Sequence, residues 1–176
     1  MPALDGLVPE FRAKVDQLLI NCRNRNIEMR PEQGLRLPRE QGRLWRQSRT
    51  RKRVLQEISR LKDSGALFLA FCIEDVGPQD GPHVTNAIPG YSLHQWGEAL
   101  DCVWIVNGAR EFSVSKKVNG KNGYRVYAEE AANLGLTAGG FWPDFPDWAH
   151  VQLHPGTPDS KFTLLEIDAE MRRRFG

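Results

Sequence analysis

Ser92-Leu93-His94-Gln95-Trp96-Gly97-Glu98-Ala99-Leu100-Asp101 is the stretch on which the reading of this chain turns, and Asp147-Trp148-Ala149-His150 answers it further on. As a pattern the two read S-x-H-x-x-G-x-A-x-D and D-x-x-H. Two imidazoles and one carboxylate are the donor set a catalytic zinc ion takes when it keeps a fourth position open for water. Asp147 stands three residues before the second histidine, where its carboxylate could reach that water. Taken singly, each of these residues is more often a surface or buried polar group than a ligand. The joint spacing is what argues for a metal centre. Around the ligands, Ala99 to Val106 reads as a strand that places Asp101 on a rigid element, and Val151 to Leu153 reads as a second strand with His150 at its start.

These residues resemble the zinc D-alanyl-D-alanine carboxypeptidases and L-alanyl-D-glutamate endopeptidases that cut the peptide stems of bacterial peptidoglycan, a group that includes phage endolysins. The likeness runs from about Glu10 to Leu153. Gly34-Leu35-Arg36 with Glu40-Gln41 and Leu44-Trp45 is similar to the family's G-[YL]-R, Q and L-[YW] positions. Val84-Thr85-Asn86-Ala87 with Pro89-Gly90 is similar to the lead-in to the histidine block, and Gly139-Gly140-Phe141-Trp142 to the approach to the last ligand. The resemblance implies an α+β fold of the hedgehog/DD-peptidase kind, a small antiparallel sheet carrying the site with helices around it. It implies Zn²⁺ held by His94, Asp101 and His150, and Asp147 as the general base. It also implies that Arg36 stabilises the charge that develops on the scissile carbonyl oxygen. Ser92 either positions substrate or caps the turn that presents His94. Gly97 and Ala99 have a steric reading, as small residues that let backbone pass close by.

Composition narrows the remaining choices. The chain has 176 residues, 40% hydrophobic and 26% charged, and a net charge of only +2 from 24 basic and 22 acidic residues. Length points to one domain with a single core and no separate wall-binding domain. The charge balance gives no reason to expect nucleic acid as a partner. No apolar run is long enough for a membrane span. The first residues, Met1-Pro2-Ala3-Leu4-Asp5, show neither the basic nor the apolar region of a signal peptide. Cys22, Cys72 and Cys102 form no C-x-x-C pair, which argues against a disulfide scaffold or an all-thiolate zinc site. The expectation is therefore a monomer made in the cytoplasm, acting on peptidoglycan stem peptides after release by lysis or on wall fragments inside the cell.

Helical periodicity predicts helices over Glu10 to Arg25, from Pro38 with Leu44 and Trp45 on one face, over Arg51 to Asp63 through Val54, Leu55, Ile58 and Leu61, and over Tyr124 to Leu134. A closing helix over Thr163 to Phe175 turns Leu164, Leu165, Ile167 and Met171 inward. Glu28 to Leu37 reads as a strand delivering Arg36. Ala66 to Ile73 is apolar throughout and fits helix or strand. Gly77 to Gly90 reads as loop. Gly108, Asn119-Gly120 and Asn122-Gly123 mark turns, the last two with hairpin chemistry. The arginines between Arg43 and Arg53 read as solvated helix faces. His83 and His154 read as surface or structural histidines, and Trp96, Trp142 and Trp148 either wall a cleft or pack in the core.

Two rival readings stand beside the endopeptidase. One keeps the metal and cuts D-Ala-D-Ala as a carboxypeptidase or dipeptidase. The other is a non-catalytic zinc module of the hedgehog kind, against which Asp147 speaks, since a protein that no longer hydrolyses peptides needs no base.

Overall fold

The computed structural model describes residues 3–176. In chain order the elements are α1 (Pro9–Asn24), β1 (Glu28–Gln33), α2 (Pro38–Arg46), α3 (Arg51–Asp63), α4 (Leu67–Glu74), β2 (Ala99–Val106), β3 (Ala109–Glu111), α5 (Gly123–Asn133), β4 (Thr137–Ala138), β5 (His150–Gln152) and α6 (Leu164–Phe175), with short 3-10 turns at Leu93–Trp96, Gly139–Phe141 and Pro158–Ser160. They fall into two compact units. One comprises the chain up to Leu35 with Gly97–Pro155, the other Arg36–Trp96 with Gly156–Gly176. Where length suggested a single core, the buried apolar residues form two clusters, one in each unit.

The first unit is built on an antiparallel sheet of order β1-β2-β5-β4. β1 runs along one edge of β2, from Glu28 opposite Ile105 to Gln33 opposite Asp101. The other edge is shared: β5 pairs Ala99–Asp101, and β3 pairs Trp104–Val106. Pro31 is tolerated because β1 is an edge strand, where a missing N–H costs no ladder bond. α1 and α5 bury Phe11, Val15, Leu18, Tyr127 and Ala131 with Leu100, Cys102 and Val151 of the sheet. Six of the eight residues of β2 are buried, so the strand is covered on both faces along most of its length. The three thiols are free and buried. Burial pushes Cys22 and Cys72 up to about 12, so these thiols stay protonated.

The second unit is helical. Pro38 opens α2, which buries Gln41 and Trp45. α3 is capped by Thr50, whose hydroxyl accepts from the Arg53 amide. The ambiguous apolar run is α4, buried on most sides by α2, α3 and α6. Its first turn is capped from a distance: the buried Asp168 of α6 accepts from the Leu69 amide at 2.9 Å. The carboxylate thus meets an otherwise orphaned helix N–H, which explains a charged residue in an apolar core.

Several expectations need correcting. Leu55 and Leu165 are exposed, because the apolar stripes of their helices are completed by Glu57 and Asp168, both buried. The strand from Glu28 ends at Gln33, so Arg36 lies beyond it. Asn122-Gly123 is a helix start instead of a hairpin turn, with the Asn122 side chain accepting from the Arg125 amide. Asn107-Gly108 and Asn119-Gly120 do make tight turns, all four residues at positive φ. Arg46 and Arg49 are tied to backbone, donating to the carbonyls of Ile73 and Thr85 at 2.9 and 2.8 Å, while the rest of the basic run is largely solvated.

Candidate metal centre

The sheet places two of the candidate ligands side by side. Asp101 and His150 are cross-strand partners in the β2–β5 ladder, so their side chains project from the same face. His150 Nδ1 lies 2.9 Å from Asp101 Oδ1. His94 sits in the 3-10 turn Leu93–Trp96 of the other unit. Both imidazoles are buried and Asp101 is half-buried. Burial on its own would pull the His150 imidazole down. The hydrogen bond and charge of Asp101, with smaller help from Gln152 and the charge of Asp147, outweigh it and hold the ring above its usual value. The position that Asp101 and His150 share is therefore one that favours positive charge.

The turn carrying His94 is fixed by a set of buried side-chain hydrogen bonds. Gln95 is fully buried, and its Oε1 accepts from the amides of Gly90 and Ser92 at 3.2 and 3.3 Å. Its Nε2 donates to Gln41 Oε1, and Gln41 in turn donates to the Ala87 carbonyl at 2.8 Å. Gln41 Oε1 also accepts from the Arg36 guanidinium at 3.0 Å, and the Arg36 amide donates to the His94 carbonyl at 3.2 Å. Trp96 closes the turn, its indole N–H on the Gly90 carbonyl and its ring stacked on Phe162 at 5.0 Å. The Ser92 hydroxyl accepts from the His94 amide at 3.4 Å, the geometry of a weak cap.

The loop that ends in His150 is shaped by two glycines. A Cβ on Gly139 would stand 2.6 Å from the Asp147 carbonyl oxygen and 3.1 Å from His150 Cβ, and one on Gly140 would strike the Trp148 ring. The Asp147 amide donates to the Gly139 carbonyl at 3.0 Å, and the Asp147 carboxylate accepts from the Ala149 amide at 3.2 Å. Asp147 is exposed. Gly97 has φ +72, and a Cβ there would run into the Gly6 carbonyl, which bears out its steric reading.

Residues 5–152 match the family model of VanY, D-alanyl-D-alanine carboxypeptidase. The chain belongs to this family. It is a peptidase, then, and a hydrolase of peptidoglycan. A relative is the peptidoglycan L-alanyl-D-glutamate endopeptidase CwlK of Bacillus subtilis (strain 168), 26% identical over 164 residues that cover 88% of this chain and 78% of CwlK. Among solved structures, the L-Ala D-Glu endopeptidase ChiX of Serratia marcescens is 20% identical with a TM-score of 0.47, over 86% of this chain and 84% of ChiX. A Zn(II) complex of a mutant VanY D,D-pentapeptidase from a VanB-type resistance cassette is 17% identical with a TM-score of 0.47, over 84% of this chain and 73% of VanY.

In this VanY-family chain the other candidates are placed as follows. His83 is exposed, with Nδ1 3.3 Å from the Ser48 hydroxyl. His154 contributes its backbone carbonyl, which accepts from Gln152 Nε2 at 2.6 Å. Trp142 packs its ring against His150, centroids 5.2 Å apart. Trp148 is held between Phe141 and the Arg125 guanidinium. Sequence reasoning passed over Gln95 and Gln152, since a lone glutamine carries no motif. Among the described residues, no helix is long and apolar enough to cross a membrane.

Proposed function

We propose that this chain is a zinc-dependent peptidoglycan endopeptidase that hydrolyses the L-Ala-D-Glu bond of the stem peptide, with zinc held by His94, Asp101 and His150. The observation that carries the reading is the pairing of Asp101 with His150 across the sheet in a chain of the VanY family. The donor set fits the metal: two buried imidazoles and a carboxylate, with Asp101 Oδ1 and His150 Nδ1 drawn together at a position that favours a cation. Zinc bound there would polarise the scissile carbonyl and lower the pKa of water to near 7. Asp147, exposed and three residues before His150, takes the proton of the attacking water and returns it to the departing amine. Arg36 offers its guanidinium to the oxygen on which negative charge builds. The Ser92 hydroxyl orients the peptide.

The choice of bond is supported by CwlK, an L-alanyl-D-glutamate endopeptidase that aligns with 88% of this chain. The second reading, removal of D-Ala from D-Ala-D-Ala ends, is favoured by the description of the matching family. Digestion of purified sacculi followed by mass spectrometry separates the two. Cleavage at L-Ala-D-Glu exposes new N-terminal D-Glu, leaves L-Ala on the muramyl residue and releases no D-Ala. Free D-Ala without new D-Glu ends would establish the carboxypeptidase instead.

A further inference from the structure

Gln152 has no place in the reading above, yet it contacts His150 directly. The two are separated by one residue on β5, so they share the face that Asp101 also occupies. Opposite Gln152 in the ladder stands Ala99, too small to compete for that space. The Gln152 amide is buried, and both its ends are engaged. Nε2 lies 2.6 Å from the His154 carbonyl oxygen, and Oε1 lies 3.0 Å from His150 Nε2.

Donor and acceptor arithmetic then fixes the chain of bonds. A backbone carbonyl only accepts, so the NH₂ end of Gln152 must face His154, and the carbonyl end must face His150. An amide oxygen only accepts as well, so His150 Nε2 must carry a hydrogen. In the neutral imidazole that leaves the lone pair on Nδ1, which is the nitrogen 2.9 Å from Asp101 Oδ1. Two acceptors at that distance repel unless a proton, as in the charged imidazolium, or a metal cation lies between them.

We infer that Gln152 is a positioning residue that holds His150 in the Nε2–H tautomer, so that Nδ1 is the nitrogen presented to the metal. This rests on the zinc reading given above. The His154 carbonyl fixes the amide, the amide fixes the imidazole, and the imidazole meets zinc with its ring orientation and proton already set. An outer partner that accepts from a ligating histidine also raises the basicity of the ligand, and loss of such partners commonly costs 10- to 100-fold in metal affinity. Gln152 touches neither substrate nor the reacting atoms; its effect passes through His150.

The test compares the full-length wild type with Gln152→Met, which keeps the bulk and loses the acceptor, and Gln152→Glu, which keeps an acceptor for Nε2–H. Zinc affinity is measured by competition with a chromophoric chelator, and the His150 ring by ¹H–¹⁵N correlation in the zinc-loaded protein. Thermal melts of the metal-free proteins confirm that each variant is folded. The expected result is a wild-type spectrum with a slowly exchanging His150 Nε2–H, a roughly 10- to 100-fold weaker affinity in Gln152→Met, and a smaller loss in Gln152→Glu, which keeps the acceptor for Nε2–H but gives up the donor to the His154 carbonyl. Wild-type affinity in Gln152→Met would overturn the inference and leave the zinc site standing. Equal losses in Met and Glu variants would make the residue merely structural and overturn it too. A wild type that does not bind zinc takes down the metal reading and this inference together, and that outcome is visible before any variant is compared.

Discussion

Asp147 is the residue at which chemistry and scaffolding can be told apart. Its carboxylate accepts from the Ala149 amide at 3.2 Å, a bond that an asparagine carbonyl oxygen can also accept. Asp147→Asn should therefore keep the loop and the three candidate ligand side chains while removing the carboxylate beside His150 that would take a proton from water. The expected outcome is full zinc content with peptidase activity lower by about 10²- to 10⁴-fold, the usual cost of losing a general base. Metal analysis and release of new amino termini from sacculi check it, and turnover close to wild type would pass the role to another group, Glu98 first. The residues that did escape sequence reading were amides. Gln95 and Gln152 act by donor and acceptor geometry in three dimensions, which residue type and spacing do not encode.

At the scale of elements, the structure follows the sequence where the apolar pattern is long and departs from it where tertiary contacts decide. α3 and β2 begin and end at the residues predicted, since each is a long run with clear punctuation. β3 and β4, of three and two residues, exist only through pairing with β2 and β5, and no local pattern announces them. The Gly139–Phe141 turn belongs to the same class, legible as a likeness but explained only by what it packs under. Gly139→Ala would press a methyl group onto the Asp147 carbonyl and His150 Cβ, where backbone must shift to relieve it. A loss of about 1–3 kcal/mol is expected, seen as a lower urea midpoint at unchanged slope, together with reduced activity. An unchanged midpoint would show that this loop adjusts freely. α6 provides a pH-dependent case. Arg173 and Arg174 hold the Glu170 carboxyl down to about 2. A folded value below the unfolded one means that the contribution is present above the ordinary carboxylate range and fades as pH falls toward 2. The stability gap between wild type and Glu170→Gln should thus be constant from pH 7 to about 5 and close below that; a gap independent of pH down to 2.5 would contradict the assignment.

For the whole molecule, the candidate donors His94, Asp101 and His150 stand out in the sequence as reactive residue types at recognisable spacings, whereas the division into two compact units does not, since each unit is assembled from two separate stretches of chain. The same separation in sequence has a thermodynamic consequence. An unfolded chain does not offer His94, Asp101 and His150 together, so on the proposed reading zinc would bind the native state in preference and stabilise it by mass action. At free zinc a hundredfold above the dissociation constant the gain is about 2.7 kcal/mol. For a chain of this length that corresponds to a rise in Tm of roughly 5–11 °C. Thermal scans of chelator-treated protein, with and without added zinc, measure it directly. His150→Ala should show no such rise, and removal of zinc from the wild type should return the transition to its metal-free temperature. A wild-type transition that ignores zinc would mean that the three donors do not act as one site in solution, and the activity would then have to be sought without them.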